Sequence, residues 1–181
     1  MRLGPRRKAS ANGEPDPVPG ALDPVIWSGV AEVATAAHGR SAHANLDAFK
    51  RLGEGRSLAH HRLAGLYATY LLKYRIAYVL GRRPAAEDIS AIAARLQRDF
   101  ERVLPGSPAG CLVDTLLVAC ELNSARATGT YSTFTLRCLD ALGLLLDAPS
   151  RDLASMQPHL TDWCVRSAKS IRTVTEGPPT R

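Results

Sequence analysis

SLAHHRLAGLYATYLLKYRIAYVLG, residues 57–81, is a proline-free run long enough for one helix, and it contains four of the five tyrosines of the chain. At about 100° per residue, Tyr67, Tyr70, Tyr74 and Tyr78 fall within roughly 80° of one another. Thr69, Leu72, Ile76, Val79 and Leu80 fall on the opposite side, so the helix is apolar on two faces. Such a helix has to be packed by neighbours on several sides. Residues 57–81 are therefore expected at the centre of a helical domain, capped by Ser57 and stopped by Gly81 and Pro84.

Working outward, the chain shows helical spacing nearly everywhere. Towards the N-terminus, Asp23-Pro24 makes a good helix start, and Ile26, Val30, Val33, Ala34 and Ala37 repeat behind it as far as His38-Gly39. A short helix follows, capped by Ser41 and broken by Gly53 and Gly55. Beyond residue 84, Ile89, Ile92, Ala93, Leu96, Phe100, Val103 and Leu104 form one stripe. Glu87 and Asp88 sit in its first turn, where the helix dipole favours anions. Residues 111–123 read as a further apolar helix, and 134–146 as a second central one, apolar except for Arg137 and Asp140. A short turn around Leu153 and Met156, then a last helix opened by Pro158, complete the pattern. No stretch alternates with period two. The expectation is an all-α single domain, a bundle or orthogonal array of about seven helices, over residues 23–175. Disordered tails are expected at 1–22 and 176–181.

The chain has 181 residues, enough to bury a core, with 45% hydrophobic and 22% charged residues. Its net charge of +6 is unevenly spread: residues 40–83 hold nine Lys and Arg against two Asp and Glu, and the other segments nearly cancel. That excess could attract nucleic acid or acidic partners, or could simply be a solvated surface. The N-terminal 20 residues lack the apolar core of a secretory signal, and the longest uncharged apolar run in the central helix is too short to span a bilayer. A cytoplasmic location without membrane contact is expected.

Chemistry-bearing motifs are sparse. Cys111, Cys120, Cys138 and Cys164 have no metal-binding or redox spacing and fall within apolar helices, so they are read as buried free thiols. No HExxH, GxSxG, GxGxxG or GxxxxGK[ST] occurs, so no metal, cofactor or catalytic residue is assigned. His159 and Asp162 are spaced to pair near a helix start, where capping is the commoner role. Asp114 and Glu121, seven apart, would share one face of their helix, with Arg126 or Arg137 as partners. Leu80 to Ile89 has the cadence of an entry into a helix-turn-helix, but the stripe from Ile89 to Leu104 contains no turn.

What remains is the tyrosine face. Tyr67, Tyr70, Tyr74 and Tyr78, with Arg75, Arg82 and Arg83 beside them, suit an interaction surface, since tyrosine offers a large ring with a polar tip. The expectation is a non-enzymatic interaction or regulatory module that binds a protein partner or itself, as a homodimer. A nucleic-acid-associated protein using the basic 40–83 segment is the alternative. A small-molecule-binding bundle or helical enzyme, with its pocket between the two central helices, is a third reading. The partner surface is expected towards Tyr78–Pro84, with the earlier turns of the helix buried.

Overall fold

The structure, a computed structural model, describes residues 17–122 and 130–176. It is all-α: the described residues form eight helices and no strand. They are α1 (Pro24–His38), α2 (Ala42–Gly53), α3 (Leu58–Leu80), α4 (Ala86–Val103), α5 (Cys111–Ala119), α6 (Tyr131–Leu145), α7 (Pro149–Arg166) and α8 (Ala168–Glu176).

Local chemistry sets most of the helix starts. Asp23 Oδ1 accepts the Val25 and Ile26 N–H groups at 3.0 Å, with Pro24 in the first turn. Ser41, Ser57 and Thr130 accept from the N–H groups of Ala44, His60 and Thr133. At the start of α4 the acid reaches backwards, and Asp88 Oδ2 accepts the Ala85 N–H at 2.8 Å. Gly81 closes α3 at φ +66°, a left-handed cap that glycine adopts without strain.

α3 and α6 lie side by side at the centre, α1 crosses α6, and α2, α4, α5, α7 and α8 close the periphery. Leu63, Tyr67, Leu71, Leu72 and Ile76 of α3 are fully buried, as are Leu139 and Leu142 of α6. Two glycines permit the close crossings. A Cβ on Gly143 of α6 would fall on the Ala34 carbonyl oxygen of α1 and 2.8 Å from Ala37 Cβ. A Cβ on Gly65 of α3 would fall on the Tyr131 ring. No helix among the described residues is long and apolar enough to cross a membrane.

Four features differ from the sequence reading. Residues 17–22 are part of the fold: Pro17 is buried and Leu22 packs on the core. The rest of that N-terminal tail, and 177–181 of the C-terminal one, lie outside the described residues. Pro158 does not open a helix but sits inside α7, which begins at Pro149. Proline is tolerated there because it is exposed, as is Ala154 one turn earlier, so the carbonyl that loses its partner faces water. The buried side chains Leu153, Met156, Leu160 and Cys164 continue unbroken across it. The final helix then splits at Ser167 into α7 and α8. Finally, α5 stops at Ala119 rather than at residue 123. Glu121 takes φ +59°, its N–H reaches Val118 O, and the Leu122 N–H reaches Leu117 O, the paired bonds of a Schellman cap built without glycine.

Because the obstruction at Gly143 is backbone and cannot swing aside, Gly143→Ala should cost about 3 kcal/mol or prevent folding, by overpacking. Urea denaturation followed by circular dichroism would measure this. A stability within 0.5 kcal/mol of wild type, about the range of a neutral surface change, would mean that α1 and α6 are further apart than described.

Candidate functional site

The four tyrosines of α3 run from core to solvent. Tyr67 is fully buried. Its hydroxyl accepts the Asp23 N–H at 3.0 Å and donates to Ala21 O at 3.5 Å, tying the entry of α1 to the central helix. Burial pushes its ionisation far above the usual tyrosine range. Tyr70 is half-buried: its hydroxyl donates to His159 O at 3.1 Å, and its ring stacks on Trp163 of α7 with centroids 4.8 Å apart. Tyr74 stacks on His159 at the same separation and lies 6.3 Å from Tyr70. Tyr78 is 68% exposed, next to Val79 at 42%. The stacked part of the row is thus a seam between α3 and α7, and only its last member projects freely. Tyr67, placed on the candidate surface by its helical angle, cannot meet a partner; a wheel angle does not show that the α1 entry covers that turn.

Arg75 also turns inward. It is 5% exposed, although the sequence reading set it with the solvent-facing arginines. Its Nε donates to Leu145 O at 2.9 Å and its Nη2 to Asp147 Oδ2 at 2.8 Å, with Asp152 Oδ2 at 3.4 Å. The guanidinium lies 5.5 Å from the Tyr78 centroid, so the free ring rests on a fixed cation. Asp152 completes the junction by accepting the Asp147 and Ala148 N–H groups and both Arg151 Nε and Nη2. Burial raises the Asp152 ionisation, but these donors and the Arg75 charge outweigh it and hold the carboxyl below its usual range. Arg82 and Arg83 are exposed, and Arg82 makes a two-bond pair with Asp88 at 2.6 and 2.8 Å.

Clefts flank the row on both sides. One of about 450 Å³ has walls of Leu66, Tyr70, Ala77, Ala119 and Trp163, with Lys73 and Glu121 paired across its rim at 2.7 Å. The other, of about 490 Å³, is walled by Tyr74, Tyr78, His159 and the Arg75–Asp147 pair. A larger cleft of about 820 Å³ between α1, α2 and the start of α7 escapes the sequence reading, since nothing in the periodicity reports the space between helices. Its acidic groups already have partners, Glu32 in Arg51 and Asp47 in His43.

Other sequence candidates are dispersed. His159 is bound up with Tyr74 and shows no bond to Asp162, whose carbonyl accepts from Arg166 instead. Glu121 lies past the end of α5 and pairs with Lys73, so it shares no helical face with Asp114; Arg126, its suggested partner, lies outside the described residues. The four cysteines are free and buried, and burial pushes Cys120 up to about 11. The basic excess of 40–83 is largely answered by acids from elsewhere in the chain. Arg40 meets Asp99, Arg51 meets Glu32, Lys73 meets Glu121, Arg75 meets Asp147 and Arg82 meets Asp88. Each exposed pair adds under about 1 kcal/mol, but together they cancel much of the field that would draw a polyanion.

No protein-family model, curated protein or solved structure matches the chain.

The gradient along α3 has a direct consequence. Tyr67→Phe, which strands the Asp23 N–H, should cost about 1 kcal/mol, whereas Tyr78→Ala should change stability by less than about 0.5 kcal/mol. Equal costs in urea melts would contradict the assignment of one ring to the core and the other to the surface. A second consequence concerns acid. The folded-state ionisation of Asp152 is depressed, so its contribution is complete at neutral pH and is lost as pH falls below about 4. Asp152→Asn should remove about 2 kcal/mol at pH 7 and flatten the acid limb of the stability profile. An acid limb unchanged in the variant would show that the Arg75–Asp152 junction plays no part in it.

Proposed function

We propose that the chain is a helical interaction module that acts by binding protein, and that the partner it meets first is a second copy of itself. The reading rests on one observation: the end of α3 presents Tyr78 and Val79 to solvent, with the Tyr78 ring lying over the buried, hydrogen-bonded Arg75 guanidinium. An aromatic side chain already held by a neighbour makes a good anchor, because less side-chain entropy remains to be lost on binding. The charge around them is mixed. Arg82 and Arg83 are exposed, and Asp147 is 80% exposed in its side chain, so a copy related by a two-fold axis could set Arg82 and Arg83 of each against Asp147 of the other.

Binding to nucleic acid is less favoured, because five cations of the basic segment are already paired with acids of the same chain. Catalysis has less support still. Tyr74 stacks on His159, Asp152 is committed to backbone and arginine donors, and the thiols are buried.

Light scattering at micromolar concentration should give twice the 19.5 kDa of one chain, and Tyr78→Ala combined with Val79→Ser should return it to one chain while leaving the helical circular dichroism spectrum unchanged. A monomer mass for the wild type would overturn self-association. If that monomer were also retained on heparin, with retention falling steeply as salt rises, nucleic-acid binding would replace it.

A further inference from the structure

α6 carries a carboxyl group into the interior, where α2 meets it with an amide. Asp140 and Asn45 have no exposed surface at all. Asn45 Nδ2 donates to Asp140 Oδ1 at 2.9 Å. The other oxygen of each group, Asn45 Oδ1 and Asp140 Oδ2, is buried without a hydrogen-bond partner among the described residues. An ionised Asp140 would therefore bury a charge answered by a single neutral donor, with two acceptors left unmet, which is an expensive arrangement. A neutral carboxylic acid has one donor and one acceptor, as the side of an amide facing it does. A proton on Asp140 Oδ2 would supply the donor that Asn45 Oδ1 lacks.

We propose that Asp140 is held as a neutral carboxylic acid closed on Asn45 by two hydrogen bonds, Asn45 Nδ2–H to Asp140 Oδ1 and Asp140 Oδ2–H to Asn45 Oδ1, and that this ring is a pH-sensitive clamp between α2 and α6. Burial pushes the Asp140 carboxyl up to about 7, against the lowering effect of the bond from Asn45. Ionisable groups on each of the surrounding elements have partners of their own. His38 of α1 faces Gly143 O at 3.3 Å, Arg40 holds Asp99 of α4, and His43 holds Asp47 on α2. Arg75 of α3 holds Asp147, and Lys73 holds Glu121 beyond α5, next to Cys120. On α6 itself, Arg137 and Cys138 are buried, and among the described residues the donor to Asp140 is Asn45.

The sign follows from proton counting. Below about pH 4 both the folded and the unfolded chain hold the proton, and between about pH 4 and 7 only the folded chain does. The folding constant should fall about tenfold for each pH unit across that window, and the contribution should level off once both states are ionised. Asp140→Asn keeps the volume, and its own N–H can serve Asn45 Oδ1, so it should fold, lose this slope and be more stable than wild type at about pH 8. Infrared spectra provide a reading that needs no variant. The wild type should show a carboxylic-acid carbonyl band at about pH 6 that disappears above about pH 8 and is absent from Asp140→Asn. Amide exchange, corrected for its intrinsic pH dependence, should rise in α2 before it rises in α3. Absence of the band at pH 6, or equal pH slopes in the two proteins, would overturn the neutral-acid ring; a uniform rise in exchange across all helices would overturn the clamp.

Discussion

A helix of 23 residues with no polar face cannot lie on a surface, and the arrangement of this molecule follows from burying α3. α6 takes one side, the entry of α1 covers Tyr67, α7 covers Tyr70 and Tyr74, and α8 packs against the same helix. Towards its C-terminal end that enclosure opens in the last turn, at Tyr78 and Val79, where the chain leaves through Gly81. Arg75 sits at the boundary. A buried guanidinium is tolerable only with its donors engaged, so Leu145 O, Asp147 and Asp152 are drawn to it, and that fixes the turn between α6 and α7. One polar side chain in an apolar helix thereby positions the helix that builds the aromatic seam.

Much of this was legible in the residue pattern, where the determinants are local. Asp23-Pro24, Ser41, Ser57 and Gly81 act within a turn of where they stand, and helical spacing identified the buried faces of α1 and α4. Most of the misreadings share a physical cause, in that they depend on a contact made far along the chain or on which side meets water; the early end of α5, at a Schellman cap without glycine, is a local exception. Pro158 looks like a start signal until its solvent-facing position is known. Arg75 and Asp147 are 72 residues apart, and Asn45 and Asp140 are 95 apart. Nothing in the spacing of α6 distinguishes a carboxylate at the surface from one inside, because that helix is enclosed on all sides.

The candidate site was legible in part for the same reason. Sequence located the tyrosine row and placed its exposed end near Tyr78, but it could not divide the row into a core ring, two seam rings and a free one. The charge count behaved similarly. An excess of basic residues within 40–83 is a fact about the chain, whereas a basic surface is a fact about the folded molecule, and ion pairs to Glu32, Asp88, Asp99, Glu121 and Asp147 separate the two.

The proposed partner surface is the exposed end of α3. Hydrogen–deuterium exchange over a dilution series tests that location directly. Dilution should raise exchange in the last turns of α3, residues 77–83, and in the facing part of α7, residues 155–163, and leave α1 and α2 unchanged. A pattern independent of concentration, or one confined to the cleft between α1 and α2, would contradict it.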